Sequence, residues 1–98
     1  MITTKQRATL RALANTLDPV MHIGKEGLTE NSFKELDNLF EARELFKITV
    51  LKNCDYTTRE LAQQIQEKTN CEIVQCIGLK IVVYKKSTRK GFKHIQIN

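Results

Sequence analysis

The sequence predicts an α/β fold in which three helices pack on a four-stranded mixed sheet, in the order α-β-α-β-α-β-β. Apolar residues recur at helical spacing in three stretches, which predicts the helices. Phe46, Ile48 and Val50 alternate with polar residues, the pattern of a half-covered strand. Two apolar runs near the end of the chain flank Gly78, which predicts a hairpin. With 98 residues, the chain has room for one domain.

The first helix is expected to begin at Thr3 or Thr4 as its N-cap and to continue to about Leu17. Pro19 cannot donate a helical hydrogen bond and should end it. The short apolar run that follows, residues 20–23, contains β-branched residues and is bounded by proline and glycine. We therefore expect a strand there.

Capping residues mark the other two helices. Thr29 is the expected N-cap of the second helix, which precedes the alternating strand. The third helix is expected to open on a capping box formed by Thr57 and Glu60. It should end near Asn70, because asparagine tolerates the left-handed conformation common at helix ends.

Charge is distributed unevenly along the chain, whose net charge is +5. Residues 1–25 carry four basic and one acidic residue, residues 26–78 carry six basic and ten acidic residues, and residues 79–98 carry six basic residues and no acid. If the two ends meet, their cations would form the surface of a polyanion-binding protein. A solvated surface with a loose basic tail is the alternative. Within that tail, Ile95 and Ile97 suggest a weak additional strand.

A glycine-flanked loop, Gly24-Lys25-Glu26-Gly27, joins the first strand to the second helix. Two glycines allow a sharp turn and close approach of a ligand, and the free amides at a helix start carry partial positive charge. The loop could therefore hold a phosphate, with Lys25 adding charge. Its spacing differs from that of a nucleotide-binding P-loop, which argues against NTP hydrolysis, and a plain turn is the alternative.

Catalytic and metal sites are not indicated. The two histidines, His22 and His94, lie in the first strand and in the tail, and neither suggests a triad. Acidic pairs such as Glu41 and Glu44 are interpreted as solvated surface charge. The three cysteines lack CxxC spacing, so we expect free thiols or small buried residues. We predict neither an enzyme nor a cofactor.

Five short segments, in their order and spacing, resemble a known family: LDPV (17–20), IGKEGLT (23–29), ELFKI (44–48), VQCIG (74–78) and VVYK (82–85). They resemble the CRM domain (chloroplast RNA splicing and ribosome maturation) in its stand-alone bacterial YhbY form, over about residues 3–87. The resemblance implies a fold similar to the C-terminal domain of translation initiation factor three, with a KH-like GxxG loop at residues 24–27 that contacts the RNA backbone. For the bacterial form it also implies association with precursors of the large ribosomal subunit.

We therefore predict an RNA-binding domain at residues 1–86, followed by a basic tail at residues 87–98, that binds ribosomal RNA during large-subunit assembly. Its cations are expected to form one basic surface around the loop, and Phe92 could stack on an unpaired base. The predicted RNA-binding residues are Gly24, Lys25, Glu26, Gly27, Arg7, Arg11, Lys47, Lys80, Lys85, Lys86, Arg89 and Lys90.

We expect a cytoplasmic protein, because the sequence shows neither a secretory signal nor an apolar run of membrane-spanning length. We also expect a monomer that binds neither a membrane nor a small-molecule substrate. The alternative function is a protein-interaction module whose basic surface meets acidic ribosomal or assembly factors. An enzyme acting on RNA is the least favoured reading, since the sequence offers no catalytic constellation.

Overall fold

The computed structural model describes residues 2–97 and contains three helices and four strands in the predicted order. The helices are α1 (Thr4–Ala14), α2 (Glu30–Arg43) and α3 (Thr58–Thr69). The strands are β1 (Met21–Ile23), β2 (Leu45–Val50), β3 (Glu72–Ile77) and β4 (Lys80–Tyr84). The predicted α/β fold is confirmed. Among residues 2–97, none of the helices has the length and apolar character needed to cross a bilayer.

The four strands form one mixed sheet in the order β1-β2-β4-β3. Strand β1 lies parallel to β2, and β4 pairs antiparallel with both β2 and β3. Ile23 lies opposite Val50, while Thr49 lies opposite Lys80. The glycine-flanked loop therefore follows β1 at the end of the sheet where β2 ends and β4 begins.

Both faces of the sheet are covered, but not equally. The larger core lies between the sheet and helices α2 and α3, and it includes Phe46, Ile48 and Val50, which are at most 1% exposed. On the opposite face, Leu10 and Ala14 of α1 pack in a smaller core. Burial of each large aliphatic side chain contributes about 1.5–3 kcal/mol to the free energy of folding.

Helices α2 and α3 begin at the threonines predicted from the sequence. The Thr29 hydroxyl accepts a hydrogen bond from the Ser32 amide at 3.3 Å. The Thr57 hydroxyl accepts one from the Glu60 amide at 3.1 Å, and the Glu60 carboxylate accepts one from the Thr57 amide in return. Helix α3 ends at Asn70 in a left-handed conformation with a φ of 59°. These local predictions are confirmed.

Helix α1 begins after Thr3 as predicted, but it ends at Ala14 instead of near Leu17. The Leu17 amide donates to the Ala14 carbonyl at 3.0 Å in a turn that closes the helix. Pro19 lies beyond this turn, so it does not itself stop the helix. Leu13 and Leu17 remain 43% and 37% exposed beside this end of α1.

The C-terminal segment, residues 85–97, folds back onto the domain and is anchored by Glu44, the residue that follows α2. The Glu44 side chain has no exposed surface. Its carboxylate accepts hydrogen bonds from the Ser87 amide at 2.7 Å and the Ile95 amide at 2.9 Å, and it pairs with His94 Nδ1 at 2.6 Å. The tail is therefore held at two points by one buried carboxylate.

The additional strand predicted at Ile95 and Ile97 is wrong, because both described residues lie in irregular backbone. Their side chains pack against the smaller core beside Leu10. The Ile95 amide bonds to Glu44 instead of to a neighbouring strand. The alternating isoleucines therefore belong to a segment that packs on the core. The Glu44 carboxylate, and not strand pairing, holds this segment in place.

Glu41 holds the same segment from the last turns of α2. Its carboxylate accepts hydrogen bonds from the hydroxyl groups of Ser87 and Thr88, and from the Thr88 amide at 2.9 Å. The Thr88 hydroxyl foremost, and then the Ser87 hydroxyl, lower the pKa of Glu41 from 4.5 to about 2. The interpretation of Glu41 and Glu44 as solvated surface charge is therefore wrong, because both acids bind the tail.

Replacing Glu44 should loosen the tail. Glu44→Ala leaves the Ser87 and Ile95 amides without their acceptor, so we expect the free energy of unfolding to fall by about 2–4 kcal/mol in urea denaturation. The positive φ of 63° at this position strains alanine as much as glutamate and should not contribute. Glu35→Ala, on the exposed side of α2, is the control and should cost less than about 0.5 kcal/mol. Equal unfolding midpoints for the two variants would contradict this role of Glu44.

Stability should also depend on acid pH through Glu41. Because its pKa is lower in the folded state, the ionised carboxylate stabilises the fold above pH 4.5, and this contribution disappears as the pH falls toward about 2. Glu41→Gln should weaken that dependence. The measurement is the thermal midpoint of both proteins across this pH window, and parallel curves would argue against the assignment.

Candidate nucleic-acid interface

The loop at residues 24–27 is a closed turn at the end of β1. The Gly27 amide donates to the Gly24 carbonyl at 3.1 Å, and Gly27 has a left-handed φ of 77°. Gly27 is buried, whereas Lys25 and Glu26 are exposed. The turn therefore holds the main chain in place and presents one positive and one negative side chain to solvent.

The connection between β2 and α3 braces this loop. The Asp55 amide donates to the Lys25 carbonyl at 3.2 Å. The ring of Tyr56 lies against Gly27, so a Cβ atom added to Gly27 would approach Tyr56 Cδ2 to 2.7 Å. Glycine is thus required at position 27 both by its backbone conformation and by this contact. Tyr56 itself remains 41% exposed.

A shallow depression of about 380 Å³ lies beside the loop, at the start of α2. The positive end of the helix dipole favours an anion at this position. Glu26, and Glu30 in the first turn of the helix, oppose that preference with negative charge. The depression is lined by Gly24, Lys25, Glu26, Gly27 and Thr29.

Part of the sheet face next to the loop is not covered by α1. His22, Thr49 and Lys80 form a row across three neighbouring strands on this face. His22 and Lys80 are exposed, and Lys80 Nζ donates to Thr49 Oγ1 at 3.1 Å. Lys47 follows in the next row on the same face and is half-buried. Lys47 and Lys80 therefore lie on the same face of the sheet, near the loop.

Arg11 is exposed on α1. Gln6 and Leu13 of α1 line clefts together with Ile95, so the tail runs along one flank of the helix. At about 100° per residue, Arg11 lies about 160° around the helix from Leu13. Its exposed side chain therefore lies on the flank of α1 that faces away from the tail.

Arg7 has a different environment from the one expected. Its guanidinium donates to the carbonyl of Ile73 and, at 3.4 Å, to the carbonyl of Val74. These carbonyls lie at an irregularity of the outer strand β3. Arg7 is one of the predicted RNA-binding residues, but its half-buried side chain is bonded to the sheet, so its guanidinium is not free to pair with a phosphate.

The structure does not gather all predicted cations around the loop. Strand β4 runs from Lys80, beside the loop, to Tyr84, which pairs with Leu45 at the start of β2. At about 3.3 Å per residue these ends are about 13 Å apart. The expectation of one basic surface is therefore corrected, because four of the predicted residues follow Tyr84 at the other end: Lys85, Lys86, Arg89 and Lys90.

Two residues of this region are absent from the sequence-based prediction. Thr49 shares the alternation of Lys47, which would have placed it on the same face. Tyr56 supports Gly27 across a wide sequence gap, and no local pattern links the two. Phe92, expected to stack on an unpaired base, is half-buried and lies beside the His94 ring, with ring centroids 5.6 Å apart.

Comparisons with known proteins point to one family. The family model described as the CRS1 / YhbY (CRM) domain matches residues 2–85. Probable RNA-binding protein YqeI of Bacillus subtilis is 39% identical over 97 residues, covering 99% of each chain. A Haemophilus influenzae protein named RNA-binding protein is 35% identical over 86 residues, covering 88% of this chain and 87% of its own length. The solution structure of Staphylococcus aureus SAV1595, for which RNA binding has been suggested, superposes with a TM-score of 0.81 at 43% identity and full coverage of both chains.

The Tyr56 contact predicts an unequal response of two glycines to the same substitution. Gly91 has a φ of 79°, close to that of Gly27, but a Cβ there would meet no atom within 4 Å. Gly91→Ala should therefore cost only backbone strain, about 1–2 kcal/mol. Gly27→Ala should cost a further 1–3 kcal/mol, approximately, because the Tyr56 ring must move. Urea denaturation measures both, and equal losses would mean that Tyr56 does not brace the loop.

Proposed function

Because this chain belongs to the CRS1/YhbY (CRM) domain family, we propose that it is a non-enzymatic RNA-binding protein that associates with ribosomal RNA of the precursor large subunit and assists its assembly. The observation that carries the proposal is a braced glycine loop next to an uncovered, cationic sheet face. We call this the loop surface; it comprises residues 24–27 with Lys47 and Lys80, and Arg11, exposed on α1, would extend it. The RNA-binding names of the relatives support the same class of ligand.

At the loop, a backbone phosphate would be recognised in the depression at the start of α2. Gly24 leaves the main chain at the start of the turn accessible to close approach, and Lys25 supplies a mobile positive charge. Glu26 would turn away from the phosphate, as its exposed position allows. Because the Tyr56 contact and the Asp55 hydrogen bond hold the loop, little ordering entropy is lost on binding.

The sheet face would contact the next part of the RNA backbone. Lys47 and Lys80 can pair with phosphates, while the Thr49 hydroxyl and His22 offer hydrogen bonds to sugar hydroxyls. A-form RNA hides its base edges in a narrow major groove and displays 2′-hydroxyls in a shallow minor groove. A surface of cations and short polar groups therefore suits recognition of RNA shape more than of base sequence.

Ribosomal RNA as the target is what the resemblance to the bacterial form of the family implies, and a cytoplasmic location is the expectation drawn from the sequence. A non-enzymatic role is supported by the positions of the two histidines. His22 lies beside the loop surface, whereas His94 is paired with the buried Glu44 carboxylate at the other end of the sheet. They do not converge on one site, as a shared catalytic centre would require.

Charge reversal in the loop surface should weaken RNA binding. For Lys25→Glu and for Lys80→Glu we expect a loss of affinity of about tenfold each, because a phosphate contact becomes a repulsion. Lys34→Glu makes the same change of charge on α2, behind the opposite face of the sheet, and is the matched control. If about five phosphates are engaged, the log-log dependence of the wild-type affinity on salt should have a slope of about −3.5 to −4.5.

Filter binding to a structured ribosomal RNA fragment measures these affinities, and crosslinking in cell extract shows whether immature large-subunit particles carry the protein. A salt slope near zero, or equal affinities for Lys25→Glu and Lys34→Glu, would contradict RNA binding through the loop surface. Loss of a protein partner with unchanged RNA affinity in Lys25→Glu would favour the protein-interaction alternative.

A further inference from the structure

The cations near the end of the chain and the glycine loop lie at opposite ends of strand β4. Tyr84, the last residue of β4, pairs with Leu45 and with Glu72, whereas Lys80 pairs with Thr49. The segment that follows Tyr84 contributes a second group of cations, which we call the tail surface: Lys85, Lys86, Arg89, Lys90 and Lys93. All of these side chains are exposed except that of Lys85, which is half-buried.

The tail surface has a fixed place on the domain. Ser87 on one side and Ile95 on the other both donate their amides to Glu44, so residues 88–94 form a loop that is closed at its base. Within it, the Phe92 amide donates to the Arg89 carbonyl at 3.3 Å in a tight turn. A closed loop loses less conformational entropy on binding than a free tail.

Three acids at this end of the sheet bind groups of the protein itself, and two of them hold the tail. Glu44 is buried, and Glu41 accepts hydrogen bonds from Ser87 and Thr88. Glu72 accepts a hydrogen bond from the Ile2 amide at 2.8 Å. These carboxylates bind the protein's own main chain and hydroxyl groups, so the outward side of the loop is dominated by lysine and arginine.

The distance between the two surfaces exceeds the Debye screening length. The strand between them spans about 13 Å, whereas the Debye length is about 8 Å at physiological ionic strength. A phosphate bound at the loop surface therefore neither neutralises the tail surface nor strongly repels an anion there.

We propose that the tail surface is a second phosphate-binding site and that one molecule of the protein binds two separate RNA segments at once. This inference rests on the proposed function, since it extends RNA binding from the loop surface to the other end of the sheet. Through it, the protein would hold together two strands or helices of one folded RNA. The tail then acts as an RNA-binding element in its own right.

The test mixes the protein with two short RNA hairpins, one labelled with a fluorescence donor and the other with an acceptor. It measures how many hairpins each protein binds and whether one protein brings the two labels together. With the full-length protein we expect two hairpins per protein by titration calorimetry and energy transfer between the labels. Sedimentation of the protein alone excludes bridging by protein dimers. Arg89→Glu/Lys90→Glu should reduce the stoichiometry from two to one and abolish energy transfer, while the first hairpin still binds.

The matched control is Lys34→Glu/Lys68→Glu, which changes the net charge equally on α2 and α3 and should leave both readouts unchanged. Thermal unfolding of each variant shows that it is folded. One hairpin per wild-type protein without energy transfer would overturn the second site but leave RNA binding intact. No hairpin binding by the wild-type protein would instead overturn the proposed function itself.

Discussion

Strand β2 is the element on which the rest of the structure depends. It lies between β1 and β4, and its residues alternate between the two cores, with Phe46 on one face and Leu45 on the other. Glu44, which anchors the tail, comes immediately before this strand, and Leu51 after it donates its amide to Ile23 at 2.9 Å. Six residues of extended chain therefore fix the distance and orientation between the glycine loop at one end and the tail at the other.

The parts of the fold that the sequence predicted well are those whose signals are local. Each capping threonine and the amide it binds are three residues apart, and the conformation of Asn70 depends on its own short side chain. The strand alternation around Ile48 is equally local. For the same reason the glycine loop could be located beforehand, since its chemistry lies within four consecutive residues.

The distribution of charge could not be predicted in the same way. Composition counts the cations near the chain end, but the direction and length of β4 decide that Lys80 and Lys85 emerge at opposite ends of the sheet. The docking of the tail is a non-local event too, because Glu44 binds partners in irregular backbone more than forty residues away. In the sequence, an acid at a helix end resembles any solvated acid, and only the packed structure shows that it is buried.

The position of Arg7 has a consequence for the behaviour of the protein at high concentration. Strand β3 is the outer strand of the sheet, and its irregularity leaves main-chain carbonyls that could receive a strand from another molecule. The guanidinium of Arg7 occupies two of them, at Ile73 and Val74. At the other edge, β1 has only three residues. An outer strand partly covered by Arg7 and a very short outer strand at the other edge leave little main chain available for intermolecular β-pairing.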